Sequence, residues 1–231
     1  EGGTVMIADP KTGAILALAN MPSFDPNNYA AYSINSFLNP AVQAIYEPGS
    51  IFKVITMAGA IDAGKITPDT TYEDTGDVTL NGKTIKNWDH KAHGRISMTN
   101  VIEQSVNTGA VFAENKLGND LFYNYLRNFG FKAKTGVDLP GEVAGSLRPL
   151  EKNVSGINYA TASFGQGVSV TPIGLLAAIG AIANDGILMK PYIVDNTTPQ
   201  VVRRVVSKDA AIAVKQMMIS AVDKAEVAHI D

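Results

Sequence analysis

Between Ser50 and Ala63 the chain carries a segment that dictates much of the rest: Ile51, Phe52, Val54, Ile55, Met57, Ala58 and Ile61 fall on every side of a helix. Glu47-Pro48-Gly49 opens it and Gly64 supplies a stop. A helix that is apolar all round must be wrapped by other elements. It also holds Lys53, whose charged form is disfavoured by burial, so its pKa is pushed down. Ser50 lies three residues earlier on the same face, which brings a hydroxyl within reach of that amine. A neutral amine beside a serine activates it as a nucleophile, and the helix N-terminus offers N–H groups to an oxyanion. The plainer interpretation makes Ser50 a helix cap and lets the Lys53 stem carry its ammonium out to water.

At 231 residues, with 45% hydrophobic and 18% charged, the chain can bury one sizeable core and is too apolar for disorder. Its 19 Lys plus Arg against 22 Asp plus Glu leave a net charge of -3, which argues against nucleic acid or an acidic membrane face as a partner. No cysteine is present, so disulfides, a thiolate nucleophile and Cys-ligated zinc are excluded, while the compartment is left open. The longest apolar run, Gly174 to Ala183, is far short of the roughly 20 residues that cross a bilayer. The chain starts at Glu1-Gly2-Gly3 and runs straight into strand-like Thr4 to Ala8, without a signal-peptide pattern. It is expected to be a piece of a longer protein.

Thr4 to Ala8 and Ala14 to Ala19 flank Asp9-Pro10-Lys11-Thr12-Gly13, which predicts a hairpin. A polar, Asn- and Pro-rich loop follows, with a short helix around Ser33 to Leu38. After the apolar helix, Val78-Thr79-Leu80 and Lys83-Thr84-Ile85 form a second hairpin about Asn81-Gly82. Ser97 caps a helix through Gln104, the chain breaks at Ser105-Val106-Asn107, and a helix from about Thr108 ends at Gly118. Further helices are predicted over Asp120 to Phe129, Pro172 to Asn184 with Thr171 as cap, and Lys208 to Val222, and strands over Tyr192 to Val194 and Val201 to Val206. There are no repeats or linkers, so one domain spans residues 1–231. Strands, then many helices, then strands give an α+β pattern.

Ser105-Val106-Asn107 places a hydroxyl and a carboxamide at a break between helices, where they can be aimed into a cleft; a simple helix stop is the alternative. Together with Ser50-Ile51-Phe52-Lys53 it resembles the first two of the three active-site motifs of the penicillin-recognising serine acyl-transferases. Residues 2–19, Pro22 to Asn27, Glu47 to Ser50, Gly136 to Glu142 and Gly165 to Pro172 are similar to a penicillin-binding-protein transpeptidase domain, most of all the monofunctional class B kind, and the resemblance runs to about residue 223. It implies an antiparallel sheet flanked by helices with a helical subdomain, as in β-lactamases and transpeptidases. It further implies that Ser50 is the acylated nucleophile and Lys53 its general base, that Ser105 relays a proton to the leaving amine, and that Asn107 hydrogen-bonds the substrate's amide. Peptidoglycan stem peptides are the implied substrates, β-lactams the covalent inhibitors, and division or elongation membrane proteins the partners of the longer protein. No cofactor or metal is implied, and the location is extracytoplasmic in a bacterium, with the anchor outside this chain.

The family's third motif is Lys-Thr/Ser-Gly on a strand edging the cleft. Lys134-Thr135-Gly136 matches the pattern but precedes Asp138-Leu139-Pro140-Gly141, a turn, and is rejected on that ground. The functional copy, with the closing strands, is expected beyond Asp231. Two rivals stay open: a serine β-lactamase or β-lactam sensor of the same fold, although no Glu-x-x-Leu-Asn is present, and a non-catalytic cell-wall scaffold. Other signals are weaker. His90 and His93 lack a third ligand pattern, Trp88 is expected to anchor packing, no Gly-x-Ser-x-Gly elbow exists, and Gly165-Gln166-Gly167 is expected to be a tight packing turn. Asn153-Val154-Ser155 and Asn196-Thr197-Thr198 match a glycosylation acceptor, without meaning in a bacterium.

Overall fold

A computed structural model describes residues 2–151 and 154–224. The first hairpin pairs β1 (Gly3–Ala8) with β2 (Ile15–Met21), and its alternation puts Met6, Ile15 and Leu18 against Ala41, Val42, Val137 and Ile173. Its other face leaves Val5, Ile7 and Leu16 more than half exposed, at 65%, 56% and 66%. The Asn/Pro-rich loop forms two 3-10 turns, Pro26–Ala31 and Ile34–Phe37, and ends in the short α1 (Pro40–Gln43).

The apolar helix is α2 (Lys53–Asp62), and every residue from Lys53 to Ala60 is buried. It packs against the helices that follow it: α3 (Met98–Glu103), α4 (Asn107–Leu117), α5 (Asn119–Asn128), α7 (Pro172–Ala183) and α8 (Lys208–Lys224). Gly59 is needed where α5 comes closest, because a Cβ there would press on the Tyr125 ring. At the C-terminal end of α2, Asp62 accepts from Tyr125 Oη at 2.6 Å and from Ser207 N at 2.7 Å, which ties α5 and the start of α8 to one carboxylate. The caps read from the sequence are present: Ser97 and Asn100 form a capping box on α3, and Thr171 Oγ1 accepts from Gly174 N at 3.1 Å.

The fold is α+β with antiparallel pairing, as expected, but the pairing is divided among four two-stranded ribbons of the described residues. β4 (Asp77–Leu80) and β5 (Lys83–Lys86) are the predicted Asn81-Gly82 hairpin. They sit as an excursion between β3 (Thr71–Asp74) and β6 (Gly94–Ser97), a pair too short and too separated to stand out in the sequence. The helix α6 (Gly156–Ala162) was also not expected. The strand predicted at Tyr192 to Val194 is corrected: the Asp138 carboxylate takes the Ile193 and Val194 N–H groups at 2.8 Å each, leaving only a bridge between Ala14 and Tyr192. The ladder lies earlier, where β7 (Ile187–Met189) pairs with β8 (Val201–Arg204). β8 stops two residues short of the expectation: Val205 N still donates to Gly186 O at 2.8 Å, but Gly186, at φ 83°, gives its own N–H to Ala181 O. No helix of the described residues is long and apolar enough to cross a membrane.

Candidate active site

The chain enters α2 through a 3-10 turn over Gly49–Phe52 that carries Ser50 on its exposed side. This turn is pinned from behind by the 165–167 loop. Gly49 N donates to Gly165 O at 3.1 Å, and Gly167 N donates to Glu47 Oε1 at 3.0 Å. Gly165 has φ 80°, and a Cβ on it would collide with the Gly49 backbone, so the Gly-Gln-Gly stretch is a packing turn that fixes the height of Ser50.

Lys53 does not reach for solvent. It is 1% exposed, and its Nζ lies 2.9 Å from Ser50 Oγ and 2.9 Å from Ser105 Oγ while donating to Ser105 O at 2.7 Å. Burial pushes its pKa from 10.5 down to about 7, and among the described residues no carboxylate pairs with it. The amine is therefore poised between charged and neutral near neutral pH. Ser105 occupies the break between α3 and α4 with φ 55°, a left-handed conformation that a serine adopts only under constraint. That conformation lets both its carbonyl and its hydroxyl face one amine. The resulting cleft is bordered by Ile102 of α3 and by Met218 and Ala221 of α8.

Asn107 is the first residue of α4, and its Nδ2 donates to Lys86 O at 2.9 Å at the end of β5. Behind it lies a buried polar cluster that the sequence reading missed. The Asp74 carboxylate, 2% exposed, accepts from Thr108 Oγ1 at 2.6 Å, Asn87 Nδ2 at 2.9 Å, His93 N at 2.8 Å and Gly76 N at 3.1 Å. Asn87 Oδ1 in turn accepts from Thr108 N at 3.2 Å and so caps an N-terminal donor of α4. Four donors on one buried carboxylate fasten the β3–β6 segment to the start of α4. Only the run of Asp, Asn and Thr in a segment otherwise read as surface hints at this.

Lys134-Thr135-Gly136 is in a loop. Thr135 N and Oγ1 both donate to Glu142 Oε1 at 2.6 Å, Gly136 N donates to Glu142 Oε2 at 3.0 Å, and Gly136 has φ 78°. Lys134 and Thr135 border a cavity with Phe129, Met189 and Arg203 rather than the Ser50 cleft. His93 Nε2 faces Asp89 Oδ2 at 3.2 Å. Trp88 is corrected: far from anchoring the core, it is 66% exposed, and its one polar atom donates at 3.0 Å to the carbonyl of Gln104, the residue before Ser105. Asn196 lies in an exposed turn at φ 58°, and the acceptor pattern at Asn153 falls outside the described residues.

Over 220 residues the chain is 38% identical to stage V sporulation protein D of Bacillus subtilis, covering 94% of this chain and 34% of that protein. It is 36% identical over 203 residues to a peptidoglycan D,D-transpeptidase FtsI homolog of Mesostigma viride, covering 84% of this chain and 34% of the relative. The chain thus spans about a third of the length of these curated relatives. Among solved structures, penicillin binding protein 3 of Mycobacterium tuberculosis complexed with ampicillin superposes with a TM-score of 0.87 at 33% identity, covering 96% of this chain and 51% of that one. The relatives are class B penicillin-binding proteins. With residues 3–230 matching the family model described as the penicillin binding protein transpeptidase domain, the chain belongs to that family.

Proposed function

We propose that the protein carrying this chain is a peptidoglycan D,D-transpeptidase that works through a serine ester. The observation that carries the reading is one buried amine, with its pKa lowered to about 7, within 2.9 Å of two serine hydroxyls from elements far apart in sequence. Neutral Lys53 takes the proton of Ser50 as Ser50 Oγ attacks the carbonyl of the terminal D-Ala-D-Ala peptide bond. The N–H groups of the first helical turn face the developing oxyanion. Ser105, sharing the same amine, passes the proton to the leaving nitrogen, so D-Ala departs as a neutral amine that keeps its carboxylate, and the stem acyl group stays on Ser50. An amine of a second stem attacks that ester, returns its proton through Lys53 and frees Ser50. Asn107, held by Lys86 O, orients the donor's amide.

The carboxylate-binding Lys-Thr/Ser-Gly is supplied by a segment following α8, since the copy at Lys134 is committed to Glu142. β-Lactams acylate the same serine, as the ampicillin complex of the relative supports. The domain works outside the cytoplasmic membrane, where stem peptides are, and its anchor and cell-division or elongation partners belong to the longer protein. Product analysis tests this. A peptide ending in D-Ala-D-Ala, given to the full-length protein with an acceptor amine, yields D-Ala and an amide-linked dimer. Hydrolysed monomer alone, or rapid turnover of penicillin, would instead identify a carboxypeptidase or β-lactamase, and no reaction at all the scaffold.

A further inference from the structure

Glu103 is the last residue of α3, and its side chain is only 5% exposed. A carboxylate in the last turn of a helix opposes the helix dipole, so α3 by itself gives no reason for one here. The reason lies on α8. Glu103 Oε1 accepts from Ser220 Oγ at 2.5 Å and from Lys224 Nζ at 2.7 Å, while Oε2 accepts from Asn100 Nδ2 at 2.8 Å. Burial would raise the Glu103 pKa, but the hydrogen bonds from Lys224, Ser220 and Asn100 outweigh it and hold the group below the usual carboxylate value, so it stays ionised at neutral pH. Asn100 is itself fixed, since its Oδ1 accepts from Ser97 N at 3.1 Å and from Ser97 Oγ at 2.8 Å in the capping box.

Two features of the site hang from this lock. Ile102 of α3 and Ala221 of α8, each next in sequence to a linked residue, both border the Ser50 cleft. The Ser105 break is suspended from the last turn of α3: Gln104 N donates to Asn100 O at 2.9 Å, Ser105 N to Ile102 O at 3.3 Å and Val106 N to Val101 O at 3.0 Å. A shift of that turn carries Ser105 with it, and the Ser105 hydroxyl has to stay near its 2.9 Å from Lys53 Nζ to exchange a proton. Charge-assisted hydrogen bonds to one buried carboxylate resist such a shift more strongly than neutral ones would. We propose that Glu103 is a positioning residue for acyl transfer at Ser50: it locks the last turns of α3 and α8 together and so holds the Ser105 hydroxyl where the leaving nitrogen takes its proton. This rests on the acyl-transfer reading of Ser50.

The test uses leaving groups that differ in their need for that proton. An amide nitrogen must be protonated to depart, whereas a thiolate leaves without a proton. A peptide ending in D-Ala-D-Ala and its thioester analogue, in which a mercapto acid replaces the last D-Ala, are given to the full-length protein, and the first turnover is followed by release of D-Ala or of thiol. Glu103→Gln keeps the volume and one acceptor but not the charge. It is expected to lower the limiting rate for the amide about tenfold, within the roughly 100-fold that a displaced catalytic group can cost, and that for the thioester less than about twofold, with the half-saturating concentrations nearly unchanged. Lys224→Gln, which alters a side chain 62% exposed, should produce the same split at about threefold. In a Ser105→Ala protein, where the relay is already gone, Glu103→Gln should add almost nothing. Equal losses for amide and thioester, an amide rate that Glu103→Gln does not change, or a loss undiminished by Ser105→Ala would overturn the proposal and leave Glu103 a brace between two helices. The unsubstituted protein tests the underlying reading separately. An ester formed from both substrates, with no split in the variants, defeats the positioning claim alone, and no ester from either defeats the acyl-transfer reading and the claim with it.

Discussion

Replacing Lys53 by methionine should make the protein more stable while removing its chemistry. The methionine stem fills the same space in α2 but has no charge to desolvate. A pKa displaced from 10.5 to about 7 means that burying this amine costs the fold about 5 kcal/mol at pH below 7, where it is protonated in both states. Above pH 7 the native amine is neutral while the unfolded one is still charged. The native state then binds fewer protons, so wild-type stability rises with pH by about 1.4 kcal/mol per unit until about pH 10.5. Methionine forgoes the contacts to Ser50 and Ser105, whose hydroxyls border the open cleft and can hydrate, which takes back roughly 2 kcal/mol. A net gain of about 2 kcal/mol at pH 7 is expected, equivalent to roughly 4 to 8 °C in melting temperature. Urea denaturation of both proteins between pH 6 and pH 9 measures it. The advantage of Lys53→Met should be largest at pH 6 and shrink as the pH rises. A variant less stable than wild type at pH 6, or a gap that ignores pH, would refute the reasoning.

Three further outcomes follow from the same structure. Lys53→Ala should slow β-lactam acylation of the full-length protein by at least about 100-fold, whereas Lys134→Ala should leave it nearly unchanged, and equal severe losses in folded protein would restore Lys134 to the site. The acylation rate should climb with pH through about 7, as Lys53 loses its proton, and a rate flat from pH 5 to pH 9 would count against an amine base. Glu114 of α4 is 1% exposed with an unpartnered Oε1, and burial raises its pKa from 4.5 to about 7, so the native state keeps a proton the unfolded state gives up. Glu114→Gln should match wild type near pH 4 and exceed it by about 3 kcal/mol at pH 8, checked by denaturation at the two values.

The apolar helix and its lysine were legible because burial on all sides is written into the residue types, and the caps at Ser97 and Thr171 because a side-chain oxygen has one local use there. The two motifs could be paired only through the family resemblance, since nothing in the sequence says that Ser105 returns to Ser50. What brings them together is long-range packing of α2 on α3 and α4. The same reason hid the β3–β6 pair and the Asp74 cluster, whose partners are separated by a whole hairpin. At Ile193 and Val194, a β-prone sequence lost to a carboxylate from Asp138 that claimed the same N–H groups. Trp88 was misread because composition favours burying tryptophan, while here the ring stays exposed with its N–H given to the Gln104 carbonyl.

The central claim is that Ser50 is the acylated atom's owner and Lys53 its activator. Intact-mass analysis of the full-length protein after exposure to ampicillin, followed by peptide mapping, tests it directly. One adduct is predicted, on the peptide that contains Ser50, lost in Ser50→Ala and retained at a slower rate in Ser105→Ala. An adduct that survives Ser50→Ala, or that maps to Ser105, would contradict the account.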